Sequence, residues 1–119
     1  MIKYAHNLVK LGSRMTEIKI VRNDKNFILE FTIYDLDGNV VDLTGITSIK
    51  LKYKQYGDSI VKEINGTVTD PENGQCQFLV KDEFVGVTGE FKAEIEMTFS
   101  NGKVLTAPGI TIKVIPDLG

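Results

Sequence analysis

Tryptophan is absent from the 119 residues, and cysteine and histidine occur once each, as Cys76 and His6. A single cysteine cannot close an internal disulfide, which excludes a cystine-stapled secreted domain. At this length, about one domain, a hydrophobic core suffices without such staples. No H-E-x-x-H pair, G-x-S-x-G elbow or G-x-x-x-x-G-K-[ST] loop is present, so the commonest zinc, acyl-transfer and nucleotide signatures are missing. Charge of either sign is not in excess. Lysine and arginine number 14 against 16 acids, a net charge of -2, whereas a nucleic-acid surface needs concentrated positive charge. No apolar run approaches the roughly 18 residues of a membrane span. The N-terminal stretch is broken by His6, Asn7 and Lys10, unlike the continuous apolar region of a signal peptide. Nucleic acid, membrane and signal-directed export are therefore not expected.

What the chain has instead is alternation. Phe27, Leu29, Phe31 and Ile33 alternate with Ile28, Glu30, Thr32 and Tyr34, and Ile49, Leu51 and Tyr53 alternate with three lysines. Phe91, Ala93, Ile95, Met97 and Phe99 do the same against Glu90, Lys92, Glu94, Glu96 and Thr98, and Ile110, Ile112 and Val114 close the chain in phase. Period two is the spacing of strands that bury one face. Glu17 to Val21, Ile60 to Thr69 and Gln75 to Val80 are further, less regular strand candidates.

Turn residues fall between these runs. Asp37-Gly38 and Asn101-Gly102 supply the positive φ of two-residue hairpin turns, Tyr56-Gly57-Asp58 closes another, and Asp70-Pro71-Glu72-Asn73-Gly74 sets φ at proline before a glycine. Asn65-Gly66 reads as a bulge inside a longer strand, because Ile64 and Val68 stay in phase around it. Lys81 to Val85 is the one segment after residue 15 suited to a helical turn. About seven short strands with regular turn signals predict an all-β fold, an immunoglobulin-like antiparallel β-sandwich over residues 15–119. Residues 1–14 do not fit the pattern. Ile2, Ala5, Leu8 and Val9 fall near helical spacing before Gly12-Ser13-Arg14 breaks it, and the segment reads as a leader or appended stretch, disordered or helical.

The most chemical-looking stretch is DLDGNVVDLTG, Asp35 to Gly45. A calcium-binding EF-hand loop needs ligands at its first, third, fifth and twelfth positions around a sixth-position glycine. Setting Gly38 as that glycine puts Asp35 and Asp37 in place but leaves Ile33 and Thr44 at the ends of the cage. A turn at Asp37-Gly38 explains the same residues without an ion, and no metal or cofactor is expected. A looser site, with Asp35 and Asp42 meeting Asp70 or Glu72, is the alternative. Cys76 shares the phase of Phe78 and Val80, as a buried apolar residue does, and it has no base near in sequence to act as a nucleophile. Glu94 and Glu96 lie on one strand face rather than across a cleft, unlike a glycosidase pair. Lys50, Lys52, Lys54 and Lys62 form a basic stripe that is read first as a solvated face. Asn65-Gly66-Thr67 matches a glycosylation triplet that needs a secretory route to matter.

Taken in order, YDLDGNVVDLTG (Tyr34 to Gly45), the strand ITSIKLKY after it, DPENGQCQF (Asp70 to Phe78), VTGEFKAEIEMTFSNGKVLT (Val87 to Thr106) and ITIKVIP resemble the N-terminal immunoglobulin-like domain of phage baseplate upper proteins. The resemblance implies a noncatalytic structural module of a phage or prophage tail, located in the virion. Its partners would be other tail or baseplate proteins, with homo-oligomers as a further option. Under it, Gly38 and Gly45 reverse the chain around a buried Leu43, with Asp37, Asn101 and Gly102 as structural turn residues. Partner-binding edges are expected at Ile18 and Ile20 in the first strand and at Ile60 and Val61 in the segment Ile60 to Thr69. A glycan-binding or cell-surface adhesion sandwich, using Tyr4, Tyr34 or Tyr56, is the alternative function.

Overall fold

Each alternating run becomes a strand that sends its apolar residues to one side. The computed structural model describes residues 4–10 and 16–116. It contains β1 (Tyr4–Lys10), β2 (Thr16–Val21), β3 (Phe27–Tyr34), β4 (Ile46–Gln55), β5 (Lys62–Asp70), β6 (Gln75–Val80), β7 (Gly89–Phe99) and β8 (Val104–Ile115). A 3-10 turn, Pro71–Asn73, joins β5 to β6. Seven strands, β2 to β8, make up the expected immunoglobulin-like sandwich, and β1 adds an eighth.

The strands follow the hydrogen-bonded order β1-β3-β6-β5-β4-β7-β8-β2. Two layers arise because β5 changes neighbour in mid-strand: Lys62 to Asn65 pair with β4, and Gly66 to Asp70 pair with β6. One layer therefore holds β1, β3, β6 and the second half of β5. The other holds the first half of β5, then β4, β7, β8 and β2. The strand runs unbroken through Asn65-Gly66, and its ladder irregularity falls at Thr69, between Val68 and Asp70. Gly66 is required there for room, since a Cβ would overlap the ring of Phe78.

Between the layers lies one core built from the predicted faces. Phe27, Leu29, Phe31 and Ile33 meet Cys76, Phe78 and Val80 within one layer, opposite Leu51, Ile95, Met97 and Ile112 of the other. Phe31 and Phe78 stack edge to face, 5.7 Å between centroids, a geometry aromatic quadrupoles favour.

Further expectations are corrected. Residues 4–10, read as helical or disordered, are a strand paired in parallel with β3. The pairing is mixed, because β2 also runs parallel to β8, and the remaining ladders are antiparallel. Ile60 and Val61 precede β5, which begins at Lys62. Lys81 to Val85 forms a turn, with Val85 N–H donating to Asp82 O, and carries Phe84 fully into the core. The expectations for residues 1–3, 11–15 and 117–119, including the boundary at 14/15, and for the side chains of Tyr4 and His6 lie outside the described part.

The turns also differ in kind. Asp35 N–H donates to Asn39 O while Gly38 N–H donates to Asp35 O. Phe99, Lys103 and Gly102 repeat that arrangement, with Phe99 N–H on Lys103 O and Gly102 N–H on Phe99 O. Only the glycines take positive φ, 86° at Gly38 and 87° at Gly102. These are three-residue loops, a turn followed by one left-handed residue, rather than two-residue turns with two such residues.

Candidate docking surfaces

The groups that carry chemistry elsewhere are occupied here by structure. Cys76 is 1% exposed, and burial pushes its thiol up to about 12, away from the thiolate that a nucleophile needs. Asp35 Oδ1 accepts the backbone N–H groups of Asp37 and Asn39 at 2.9 and 3.0 Å. Asp42 Oδ1 accepts both the hydroxyl and the N–H of Thr44, which holds its carboxyl below the usual range. Asp70 Oδ2 accepts from the Asn73 amide. Each carboxylate thus fixes its own loop, and among the described residues no three of His, Cys, Asp and Glu group as metal ligands.

These loops meet at one end of the sandwich. Leu43 N–H donates to Pro71 O, and Ser100 N–H donates to Gly45 O. Leu43 is 1% exposed under the reversal, with φ 86° at Gly45. Gly74 is wedged deepest: its φ is 68°, and a Cβ there would lie 2.9 Å from the carbonyl oxygens of both Ile33 and Val41. Leu36, at the tip between Asp35 and Asp37, is 68% exposed. The surface carboxylates Asp35, Asp37, Asp42, Asp70 and Glu72 are carried by these loops, as is Lys103.

Open strand margins are the second feature. Among the described residues β2 has one hydrogen-bonded neighbour, β8, and each half of β5 has one. Ile18 and Ile20, expected at an edge, do sit in an edge strand, but their side chains point into the core. Arg22 N–H donates to Ile115 O. In a parallel ladder alternate residues face the neighbour, so Ile18 and Ile20 turn their backbone groups towards β8. Glu17 and Lys19 turn theirs to the open side. Their charges suit an edge that must not pair indiscriminately, and Lys113 holds Glu17 at 3.2 Å. Ile60 and Val61 are 62% and 58% exposed on the loop before β5. The sequence missed that they are surface rather than strand, since Ile60, in phase with Ile64, and β-branched Val61 beside it read as strand.

The basic stripe divides in two. Lys52 Nζ donates to Glu96 at 2.8 Å, which raises its pKa, and Lys50 lies 3.4 Å from Glu63. Lys54 stands directly opposite Lys92 in the β4–β7 ladder. Facing like charges destabilise a sheet. The two lysines border a groove of about 210 Å³ on the outer face, between Val61 on one side and Pro108 and Gly109 on the other. Pro108 and Gly109 project there because β8 bulges at that point, with the register shifting between Ala93 and Ile95 and Gly109 at φ 82°. The lysine at 92 was the sequence's missing piece; the pairing of 54 with 92 depends on register, which no single run specifies.

Comparison with known proteins covers nearly the whole chain. A family model described as the BppU N-terminal domain matches residues 6–118, and so takes in most of β1. Among solved structures, the N-terminal domain of phage TP901-1 ORF48 is similar, with a TM-score of 0.73 and 13% sequence identity over 98% of this chain and 99% of that one. At that identity the likeness shows the fold. No curated protein matches.

Proposed function

The chain belongs to the BppU N-terminal domain family, the N-terminal domain of phage baseplate upper proteins, and is a structural component of a phage tail; from that premise we propose that it docks noncatalytically onto another baseplate protein by adding a strand at β2. The observation that carries this is the margin of β2, which has no second strand beside it among the described residues and towards which Glu17 and Lys19 turn their backbone groups. Strand addition supplies affinity through main-chain hydrogen bonds, and the side chains flanking the new strand supply selectivity. Parallel pairing with β8 already holds β2 straight over six residue pairs, so little ordering entropy remains to oppose docking. Catalysis finds no support: the buried thiol is held protonated, and Asp35, Asp42 and Asp70 are engaged in their own loops.

Lys19→Pro is the discriminating change. It removes an outward N–H without removing a ladder bond to β8, and an open edge is a place where a sheet tolerates proline; Ile18 before it is already extended as proline demands. Titration of the domain against each tail protein of the same phage, with a glycan array alongside, reads the outcome. Binding to one tail protein, lost in Lys19→Pro while the thermal midpoint stays within a few degrees, is the expected result. Glycan binding without any tail partner would replace this reading with the adhesion one, and partner binding indifferent to Lys19→Pro would move the dock away from β2.

A further inference from the structure

The acidic end and the Lys54–Lys92 groove lie at opposite ends of the sandwich. The first is formed by the loops after β3, β5 and β7. The second lies towards the other end, where Tyr56 N–H donates to Glu90 O and Gln55 Nε2 to Thr88 O. We propose that the groove receives the Asp35–Gly38 turn of a second copy of this chain, so that copies associate head to tail.

Two complementarities carry it. Lys54 and Lys92 face each other with no carboxylate paired to either among the described residues. A carboxylate set between them removes a repulsion that the lone chain sustains. The turn presents such a carboxylate: Asp37 caps nothing in its own loop, whereas Asp35 Oδ1 is committed to two backbone amides. Leu36 supplies the apolar half. It is the most exposed large hydrophobic side chain among the described residues, and the groove is walled by Val61 and Pro108. At about 210 Å³ the groove holds an aliphatic side chain with ease, since a cavity of about 150 Å³ takes benzene. Glu94 is the one acid in the lining, set against the three lysines Lys52, Lys54 and Lys92 that line it too. The net charge of -2 puts little general repulsion in the way of self-association. Because turn and groove are different surfaces, the contact is heterologous, and it builds either a closed ring or an open chain.

Sedimentation velocity on the 119-residue chain, from micromolar to millimolar concentration and at low and high salt, tests the proposal. Mass should rise with concentration, and less so at high salt. Lys54→Glu or Lys92→Glu should weaken association about threefold to fivefold each, and Leu36→Ser about tenfold or more, as loss of a buried aliphatic side chain demands. All three positions are exposed or half-exposed, and circular dichroism checks that each variant is folded. The decisive mixture combines Leu36→Ser, which keeps the groove, with the double variant Lys54→Glu and Lys92→Glu, which keeps the turn. Neither should associate alone, and together they should form a heterodimer and stop there. A monomer at every concentration, or self-association unchanged by all three substitutions, would overturn the proposal. Lys19→Pro should leave self-association intact, so failure here is separable from failure of strand docking at β2.

Discussion

The two ends of this sandwich are closed by different means. At the acidic end the chain caps itself with backbone: Asp35, Asp42 and Asp70 tie their own loops, and Gly38, Gly45 and Gly74 take positive φ so that main-chain groups satisfy one another. At the far end side chains close it. Phe84 drops from the loop between β6 and β7 onto Tyr53 and Phe91, each 5.2 Å away between centroids, and Tyr53 and Phe91 are themselves 6.1 Å apart. A backbone cap writes itself into sequence as Asp, Asn and Gly at fixed offsets. A side-chain plug is a single aromatic ring in a short loop, and it can be stabilising out of proportion to its visibility.

Substitution of that plug should have the largest effect. Phe84→Ala should cost about 3–5 kcal/mol in denaturant unfolding, the range for emptying a packed aromatic site. A cost below about 1 kcal/mol would mean that the far end is not closed by this ring. The backbone end should break next most readily at Gly74, where alanine must both adopt φ 68° and crowd two carbonyl oxygens. Gly38→Ala faces open space at the same kind of φ and should cost only about 1–2 kcal/mol. Equal losses at the two glycines would show that φ alone, and not the wedge, matters at Gly74.

Alkali should reveal the side-chain end and the core together. Burial raises Cys76 from 9.0 to about 12, and Tyr53 from 10.0 to about 12. The folded state then binds protons that the unfolded state has released, so stability is full below about pH 9 and falls as pH rises towards 12. Melts between pH 8 and 10 should show a decline that Cys76→Ala flattens. Native Cys76 should also react with a thiol reagent far more slowly than the unfolded chain. The smallest effect concerns the acidic end. Millimolar calcium and chelator should give the same thermal midpoint, because the Asp35, Asp42 and Asp70 carboxylates are engaged in their own loops. A rise of several degrees with calcium would mean that they converge on an ion in solution.

Much of this architecture was legible from residue order alone. The phases of Phe27 to Ile33 and Phe91 to Met97 named the buried faces, the phase of Cys76 placed it in the core, and Leu43 between Gly38 and Gly45 is buried as read. What escaped depends on partners distant in sequence. Parallel pairing of β2 with β8 joins residue 16 to residue 110, and no local pattern distinguishes it from antiparallel pairing. The stretch Tyr4 to Lys10 takes its conformation from β3 beside it, against its own near-helical spacing. Lys54 meets Lys92 only through the register of β4 on β7. Of the docking surfaces, the strand carrying Ile18 and Ile20 was legible as an edge, but the outward-facing residues are Glu17 and Lys19. Ile60 and Val61 became loop because the chain needs Tyr56 to Val61 to turn from β4 into β5.

The parallel ladder between β2 and β8 also determines how the domain bears load. A pull entering at the start of β2 and leaving at the end of β8 acts along the two strands in opposite directions, so the paired backbone bonds from Thr16↔Ile110 to Val21↔Ile115 are strained at once, in shear. An antiparallel pair pulled from adjacent ends would instead open like a zipper, one bond after another. Rupture of a sheared patch is governed by its unfolding barrier rather than by equilibrium stability. A pull applied across these two strands would therefore be resisted far better than the overall folding free energy suggests.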